Sequence, residues 1–256
     1  MKRSSYSLLG AKVDALTIPD LNSLIAEAVE RNTKWVIANH NLNSLHLYHH
    51  DPKMQAFYAK ADYVHIDGMP LVLLGQRLGL PLKREHRVTY ADWVWPLMAE
   101  AAQQGWRIFY LGSKPGVAEQ GASILREKFP SLEIATEHGY FDIRPDSQEN
   151  QTVLSAIHAY QPHVLMVGMS MPRQEHWILD NLEHIQANAI LPSGACIDYV
   201  AGAIPTPPRW MGRLGLEWLH RLWSEPRRLW KRYLIEPWFI ANLFLREMRT
   251  QYARTR

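Results

Sequence analysis

The chain has 256 residues, of which 47% are hydrophobic and 21% charged, so it can build a hydrophobic core and is not disordered as a whole. Its single cysteine, Cys196, excludes an internal disulfide and a zinc site made of several cysteines, and we expect it to be a small buried side chain. The formal net charge of +3 is unevenly distributed, because the segment beyond residue 204 is strongly basic and residues 1–204 are acidic overall.

Short β-rich runs alternate with segments of helical periodicity along residues 1–204. The runs lie at Trp35–Ala38, Tyr63–Ile66, Arg107–Leu111, Leu132–Thr136, Val164–Val167 and Ala189–Leu191. This alternation predicts a Rossmann-like α/β core, in which a parallel sheet carries helices on both faces. Ligands of such sheets bind beyond the carboxyl ends of the strands, so the turn residues that follow the strands are the first candidates for a site.

From residue 205 the pattern changes to a proline-rich stretch, Pro205–Pro208, followed by helical segments with Pro226 and Pro237 between them. We therefore expect an α/β catalytic core at 1–204 and a helical appendage at 205–256. Half of the tryptophans lie in the appendage, at helical spacing among basic residues. Contact with an anionic membrane, packing on the core and nucleic-acid binding all fit this composition. Membrane contact is favoured, because no nucleic-acid motif accompanies the basic residues.

Neither end of the chain predicts a segment inserted in a membrane. The basic residues Met1–Arg3 precede polar residues instead of an apolar run, so no secretory signal is expected. The most apolar late stretch, 234–245, contains Glu236 and Pro237 and is far shorter than the roughly 20 residues of a membrane-spanning helix. We expect a cytoplasmic protein that binds the membrane peripherally.

Asp67 is the first candidate for catalysis. It ends the apolar run Tyr63–Ile66 and precedes Gly68, which allows a tight turn beside a bound group. A half-buried carboxylate at the end of a strand can act as a general base. The alternative is a carboxylate that caps the helix that follows.

The run Val164–Gly168 stops before Pro172–Glu175, which opens an amphipathic segment. Arg173 and Gln174 therefore fall where a polar ligand would lie, at a helix N-terminus beyond a strand. Gly168–Pro172 resembles a nucleophile elbow only faintly, since Pro172 replaces the last glycine, and we do not expect Ser170 to be a nucleophile.

The loop Gly112–Gly116 lies between a predicted strand and a helical segment. Its amides, with Ser113 and Lys114, could hold a phosphate or the polar edge of a nucleotide. It matches neither the P-loop nor the dinucleotide-binding pattern, so an ordinary strand-to-helix turn fits equally well.

A histidine group near Asp51 could suggest a metal site. Its members are His40, His46, His49 and His50. The last three fall in a helix-like segment without a His-Glu-x-x-His pattern, so a solvated helix face is the favoured interpretation. The chain also has no Asp-x-Asp triplet. We predict that the protein uses no metal ion and no cofactor.

Several motifs, in their order along the chain, resemble the WecG/TagA/CpsF family of bacterial glycosyltransferases. They are Asn39–Asn41, Asp67–Gly68, Arg87–Thr89, Leu111–Ala118, Phe129–Pro130, Gly139–Phe141, Pro172–Glu175, Glu217–Arg221 and Glu225–Arg228. The resemblance covers nearly the whole chain. It implies an inverting, metal-independent transfer of a sugar from a UDP-sugar to a saccharide linked to polyprenyl diphosphate. The implied location is the inner face of the cell membrane, in the synthesis of bacterial surface polysaccharide or exopolysaccharide.

The resemblance also implies roles for individual residues. Asp67 matches the general base, Asn41 matches the asparagine of a Thr-x-Asn motif, and Arg87 and Gln174 match polar residues of the active-site pocket. We add as substrate-binding candidates the strand-end residues Gly112, Ser113, Lys114, Gly168, Arg173 and Glu175. Arginines of the appendage would close over the pocket and neutralise the diphosphate, for which the planar guanidinium is suited. These arginines are Arg221, Arg228 and Arg232.

Two positions depart from the family pattern. Asn39, which is a further candidate catalytic residue, stands where threonine is usual, and Tyr90 replaces a glycine. Asn39–Leu42 and Arg87–Tyr90 look closer to the exopolysaccharide branch, which includes the β-1,4-glucosyltransferase of xanthan assembly, than to the teichoic acid branch that transfers N-acetylmannosamine. A non-catalytic nucleotide-sugar sensor and a membrane-bound scaffold remain as alternative functions. The sequence leaves open whether copies of the chain form a homo-oligomer.

Overall fold

The computed structural model describes residues 4–204 and 236–254, together with positions 211, 219, 222, 223, 227, 230 and 234. The predicted fold class is confirmed, since a six-stranded parallel sheet has helices on both faces. An antiparallel hairpin that the sequence analysis does not predict precedes the sheet, with strands β1 (Ser5–Leu8) and β2 (Ala11–Asp14). Its turn residues Leu9 and Gly10 both have positive φ, which matches the twist of a two-residue hairpin.

The six strands of the sheet lie where the apolar runs predict them, with ends that differ by at most two residues. They are β3 (Trp35–His40), β4 (Tyr63–Ile66), β5 (Ile108–Gly112), β6 (Ile134–Glu137), β7 (Val164–Gly168) and β8 (Ala189–Pro192). Their order across the sheet is β4-β3-β8-β7-β5-β6. All neighbouring strands are parallel, so their carboxyl ends share one edge.

Helices connect the strands, as the alternating pattern predicts. Those of the described residues are α1 (Ile18–Glu30), α2 (Leu42–His50), α3 (Pro52–Lys60), α4 (Met69–Arg77), α5 (Tyr90–Gln104), α6 (Val117–Lys128), α7 (Gln148–Tyr160), α8 (Arg173–Asn181), α9 (Cys196–Val200) and α10 (Glu236–Arg254). A short 3-10 turn, Arg84–His86, precedes α5. Polar side chains bind the first-turn amides of several helices and so fix where these begin. These caps are Thr17, Asn41, Asp51, Thr89 and Ser147.

Two hydrophobic clusters cover the two faces of the sheet. On the first face, α1, α5, α6 and α9 pack on alternate side chains of the strands. On the second face, α3, α7 and α8 pack on the other set. Because both faces are covered, the strands are mostly apolar, as is typical of parallel sheets, and the buried polar residues Asn39, His40 and His65 are exceptions. Cys196 is buried in the first cluster, as the sequence analysis predicts.

A third cluster joins the two ends of the described chain. The β1–β2 hairpin, α2 and α4 contribute Leu8, Leu45 and Leu71, and α10 contributes Ile240, whose side chain is 2% exposed. The last helix of the appendage therefore packs on the core. The predicted domain boundary after residue 204 borders residues that the structure does not describe, so it stays a prediction.

Candidate active site

Two pairs of neighbouring strands are candidates for a ligand crevice at the carboxyl edge of the sheet. A crevice forms where neighbouring strands continue into helices on opposite faces, and ligands of α/β sheets bind there. One lies between β5, which leads to α6, and β7, which leads to α8. The other lies between β3 and β8. These two strands pair only at Trp35 with Ala189 and at Val36 with Ile190, so they have separated by the time they reach this edge.

Asp67 is half-buried at the carboxyl end of β4. Its backbone N–H donates to the carbonyl oxygen of His40 over 2.8 Å, which joins the ends of β4 and β3. The next residue, Gly68, has a φ of 143° and occupies the cap position of α4. A φ in this region favours glycine, which lets the chain turn away immediately after Asp67.

Asn41 is the neighbour of the Asp67 carboxylate. Its Nδ2 donates to Asp67 Oδ2 over 3.4 Å, while its Oδ1 accepts the backbone N–H of Ser44 at 3.0 Å. In return, the Ser44 hydroxyl accepts the backbone N–H of Asn41 at 2.8 Å. This capping box at the start of α2 fixes the amide, so that its oxygen faces the helix and its nitrogen faces Asp67.

Asn39 bridges the crevice between β3 and β8. Its side chain is buried, and Nδ2 donates to the carbonyl oxygen of Pro192 over 3.0 Å. Its own carbonyl oxygen accepts the hydroxyl of Tyr58 at 2.7 Å. The phenol of Tyr90 interacts with the Asn39 side chain from the first face of the sheet. An amide therefore closes the gap that the separating strands leave.

Arg87 lies beside the end of β4. The backbone N–H of Val88 donates to the carbonyl oxygen of Ile66 over 2.8 Å, which aligns this segment with the strand that ends at Asp67. The Arg87 guanidinium forms an ion pair with Asp92 at 2.9 Å, and the Arg87 side chain is mostly buried. The structure thus brings Arg87, Asp67, Asn41 and Asn39 to one part of the carboxyl edge.

Gln174 and Glu175 lie in the interior at the start of α8. Gln174 Oε1 accepts the backbone N–H of Gly194 at 3.2 Å, and Gln174 Nε2 donates to Glu175 Oε1 over 2.8 Å. Both side chains are buried, at 1% and 0% exposure. Burial, and then the negative charge of Glu175, raise the pKa of Tyr58 well above its usual value of 10. The negative charge of Glu175 therefore acts on Tyr58, the residue that binds the carbonyl oxygen of Asn39.

Gly112 and Gly168 close the last rung between β5 and β7. A Cβ on Gly112 would lie 2.4 Å from the carbonyl oxygen of Gly168, so only glycine fits without a backbone shift. Ser113 follows with a φ of 61° and donates from Oγ to Asp198 Oδ2 over 3.0 Å. Lys114 is exposed beside the N-terminus of α6. This crevice presents the amides of a helix start and a cation, which suit a phosphate.

Arg173 supports a neighbouring loop. Its guanidinium donates to the carbonyl oxygen of Phe141 over 2.6 Å and to that of Gly139 over 3.3 Å. It also lies 5.8 Å from the centre of the Phe141 ring. Gly139 in turn donates to the carbonyl oxygen of Ser113 over 3.0 Å. Arg173 therefore holds the loop after β6 against the β5–β7 crevice, and its predicted contact with substrate stays a prediction.

The three arginines of the appendage that the sequence analysis singles out lie outside the described residues. They are Arg221, Arg228 and Arg232. Their expected approach to the pocket stays a prediction. The described helix α10 shows where the appendage meets the core, on α2 and the β1–β2 hairpin.

The predicted solvated histidine face of α2 holds for His50, which is exposed, whereas α10 partly covers His46 and His49. The ring centres of His46, His49 and His50 lie 5.4, 5.6 and 4.5 Å from that of Phe239. The sequence pattern could not show this cover, since Phe239 lies almost two hundred residues further along the chain. Within residues 4–204 and the described part of the appendage, no group of three or more His, Cys, Asp or Glu side chains is placed to hold a metal ion.

An open concavity of about 480 Å³ lies at the opposite, amino edge of the sheet. Its cations already bind backbone carbonyls: Lys34 Nζ donates to Leu182 over 2.8 Å, and Arg107 Nε donates to Gln161 over 2.8 Å. Helices end near this edge and present carbonyl groups, which repel anions. The candidate active site is therefore the carboxyl edge of the sheet and not this concavity.

Several residues that shape the site are not predicted from the sequence. Tyr58 and Asp198 come from other elements and have no local signal. Ser44 does have a local sequence signal, because it stands three residues after the cap Asn41, which is the spacing of a capping box. His40 was considered only as a metal ligand, but it is buried, and burial lowers its pKa to about 3.

Comparison with known proteins places the chain in a family. Relatives from Staphylococcus aureus strains MRSA252, MW2 and NCTC 8325 / PS 47 are each 28% identical over 232 residues, covering 87% of this chain and 87% of each relative. Each is named N-acetylglucosaminyldiphosphoundecaprenol N-acetyl-beta-D-mannosaminyltransferase. The profile of the WecG/TagA/CpsF glycosyl transferases matches residues 6–254, which include both the sheet and α10. The chain therefore belongs to the glycosyl transferase WecG/TagA/CpsF family.

Proposed function

We propose that this protein is an inverting, metal-independent glycosyltransferase that moves a sugar from a UDP-sugar to a saccharide linked to polyprenyl diphosphate. The observation that carries the proposal is the Asn41–Asp67 pair at the carboxyl edge of the sheet. Membership of the family supports the reaction class. The names of the relatives support the acceptor, since those enzymes act on N-acetylglucosamine linked to undecaprenyl diphosphate.

Asp67 acts as the general base. Its carboxylate takes the proton of the acceptor hydroxyl while that oxygen forms a bond to the anomeric carbon of the donor. The bond between the anomeric carbon and the phosphate oxygen breaks, and UDP leaves with the electron pair. A single displacement of this kind inverts the anomeric centre. The Asn41 amide holds Asp67 in the charged, acceptor form, because a hydrogen-bond donor stabilises a carboxylate.

The β5–β7 crevice binds the diphosphate of the donor. The first-turn amides of α6, which no cap side chain binds, and the exposed Lys114 supply positive potential there. Gly112 and Gly168 allow close approach to the backbone. Guanidinium groups of the appendage complete the neutralisation of the leaving group. They are Arg221, Arg228 and Arg232.

The transferred sugar is a hexose, as in the exopolysaccharide branch of the family. The two positions that depart from the family pattern, Asn39 and Tyr90, are neighbours in the structure and share the crevice between β3 and β8. Two departures at one place support a changed substrate contact more strongly than two scattered ones. The Staphylococcus aureus relatives, at 28% identity, are named for transfer of a different sugar, N-acetylmannosamine.

The protein acts at the inner face of the cell membrane, to which α10 binds peripherally. No described helix has the length and apolar character needed to cross a bilayer. The outer side of α10 exposes Trp238 by 73% and Leu245 by 52%, beside the exposed Arg246 and Arg249. Aromatic and basic side chains suit the headgroup layer, where each cation contributes about 1 kcal/mol near anionic lipid.

The test is a transfer assay with a panel of UDP-sugars and short-chain polyprenyl-diphosphate saccharides. We expect one donor to give a glycosylated lipid and one UDP per product. Asp67→Asn should reduce transfer by at least about a hundredfold, since a general base contributes on that order, and should leave UDP binding by calorimetry unchanged. Transfer at near-normal rate by Asp67→Asn would remove the general-base role.

The same assay separates the two alternative functions. A nucleotide-sugar sensor would bind a UDP-sugar without releasing UDP in the presence of any acceptor. A membrane-bound scaffold would bind anionic vesicles and show no nucleotide affinity. UDP release that depends on the lipid-linked acceptor contradicts both.

A further inference from the structure

We propose that Tyr58 and Ser44, with the His40 ring packed between them, are positioning residues that hold Asn39 and Asn41 at the site. They touch neither of the substrates in this proposal and act through the backbone of the Asn39–Asn41 segment. The inference rests on the proposed function, because it assigns these residues an effect on the transfer rate. It adds three buried side chains to the residues that the reaction depends on.

Each of the three residues of this segment is fixed through its backbone. The Tyr58 hydroxyl donates to the carbonyl oxygen of Asn39 over 2.7 Å. The carbonyl oxygen of His40 accepts the Asp67 N–H at 2.8 Å. The Ser44 hydroxyl accepts the N–H of Asn41 at 2.8 Å and lies 3.0 Å from the Asn41 carbonyl oxygen, to which it donates. The end of β3 is therefore bound to α2, α3 and β4 at successive residues.

The His40 ring joins the Tyr58 ring to the Ser44 hydroxyl. It stacks on the ring of Tyr58 with centres 3.9 Å apart and planes at 24°, and its Nδ1 lies 3.0 Å from Ser44 Oγ. All three side chains are buried, at 7% exposure for Tyr58, 1% for His40 and 0% for Ser44. The two hydroxyl groups and His40 Nδ1 have partners in this arrangement, and a shift would leave these buried polar atoms unsatisfied, as His40 Nε2 already is among the described residues.

The cluster keeps its charge state over the working pH range. Burial lowers the pKa of His40 to about 3, with smaller contributions from His49 and His65. Burial, and then Glu175, raise the pKa of Tyr58 well above 10. Both rings therefore stay neutral near neutral pH, so the support below the site does not change while Asp67 exchanges its proton.

The position of the segment matters for the chemistry because it carries two amide donors. Asn41 directs Nδ2 to Asp67 at 3.4 Å, and Asn39 directs Nδ2 to Pro192 at 3.0 Å across the crevice. The first of these is a long hydrogen bond, so a small shift of the backbone would break it. Displacements of about 1 Å in an active site can cost on the order of a hundredfold in rate.

The first test is Tyr58→Phe, which keeps the stacked ring and removes the hydroxyl. We expect kcat for sugar transfer to fall about tenfold with the donor KM changed less than about twofold, since the loss concerns the reacting geometry and not donor binding. Tyr48→Phe is the matched control. The Tyr48 ring lies 5.8 Å from both His40 and Tyr58 and belongs to the same group of rings, and this variant should keep the wild-type kcat.

The second test is Ser44→Ala, compared with Thr17→Ala. Thr17 forms a capping box with Asp20 at the start of α1, so both variants lose a capping hydroxyl and some thermal stability. Only Ser44→Ala should move the acidic limb of the pH–rate profile to higher pH, because a carboxylate with a weaker donor takes up a proton more readily. Thr17→Ala should keep the wild-type profile.

The outcomes separate this inference from the proposed function. If the wild type transfers sugar and Tyr58→Phe and Ser44→Ala match their controls in kcat and in pH profile, the cluster is merely structural and the inference is wrong. If the wild type itself transfers no sugar to any lipid-linked acceptor, the proposed function fails, and the inference fails with it. A lower kcat in both variants, with UDP affinity and the controls unchanged, supports it.

Discussion

One side chain, Asn41, links the start of a helix to the reacting carboxylate. Its oxygen binds the first turn of α2 through Ser44, and its nitrogen faces Asp67. The helix requires an acceptor at this position, whereas the chemistry requires a donor. An amide provides both, so a substitution that keeps the cap can still remove the donor.

Asn41→Asp tests this division. Aspartate is as good a helix cap as asparagine, so the melting temperature should change little. The new carboxylate has no N–H for Asp67 and repels its charge, so Asp67 should become protonated at higher pH. We expect the acidic limb of kcat/KM against pH to move up by about one unit, a typical shift between close carboxylates. Asn41→Ser, a cap without charge, is the control. An acidic limb at the wild-type pH in Asn41→Asp would show that the two side chains do not interact in the working enzyme.

Sequence reasoning reaches some of these residues and not others. Asp67 and Asn41 follow apolar strands directly, so the parallel sheet predicts their edge, and the family resemblance supplies their roles. Tyr58 reaches Asn39 from a different helix, and only the folded arrangement of α3 against β3 brings them together. The buried state of Gln174 was also beyond the sequence, because its partner Gly194 follows another strand.

At the scale of elements, the β5–β7 crevice depends on close contact between two strands. Gly112 and Gly168 face each other with no room for a Cβ between backbone atoms. Gly121 in α6 is also crowded, since a Cβ added there would lie 2.4 Å from Ile197 Cγ2, a methyl group on a buried, β-branched side chain. Gly112 and Gly121 therefore differ in what must move when a methyl group is added.

Gly112→Ala should lower the free energy of unfolding by about 1–3 kcal/mol, the usual cost of overpacking a core. Gly121→Ala should lower it by less, because a gain in helix propensity of about 1 kcal/mol offsets part of the cost of displacing Ile197. Urea unfolding of both variants measures the difference. UDP affinity should fall in Gly112→Ala alone, and equal affinities would place the donor elsewhere.

The order of elements was largely predictable, because a doubly covered parallel sheet gives apolar strands separated by amphipathic helices. The β1–β2 hairpin was missed since its strands have four residues each and its turn, Leu9 and Gly10, lacks a strong hairpin signal. The contact of Phe239 with the α2 histidines could not be predicted either, because it joins residues almost two hundred positions apart in the chain.

For the whole molecule, buried histidines set the response to acid. Burial lowers the pKa of His40 and of His65 from 6.5 to about 3. Above pH 6.5 neither the folded nor the unfolded chain protonates them, so they have no effect. Below it only the unfolded chain takes up the protons, so stability falls as the pH drops towards 3.

His65→Phe should reduce this sensitivity. His65 packs between the rings of Tyr90 and Trp93, an environment that accepts phenylalanine. Between pH 7 and pH 5 the wild type should lose about 2 kcal/mol of unfolding free energy for each buried histidine, and the variant should lose correspondingly less. Urea unfolding at the two pH values is the measurement. His184→Gln, at an exposed position, is the control and should retain the wild-type difference.

Removal of residues 205–256 tests whether the core and the appendage act together. We expect the six-stranded sheet to remain folded by circular dichroism, with a lower melting temperature because Leu8 and Leu45 lose their cover by Ile240. Transfer to a lipid-linked acceptor should be lost together with the appendage arginines. Full turnover by the shortened protein would contradict a shared site.

The third hydrophobic cluster brings together residues from the beginning and the end of the described chain, Leu8 and Ile240. During translation the hairpin, α2 and α4 emerge long before α10, so their apolar surface stays uncovered until the last helix is made. Closing so long a loop costs conformational entropy, and only the packing of α10 in the third cluster offsets that cost. On the proposed mechanism, a nascent chain that does not yet include Arg221, Arg228 and Arg232 also lacks its phosphate-binding groups, so catalysis cannot begin before this part of the chain is made.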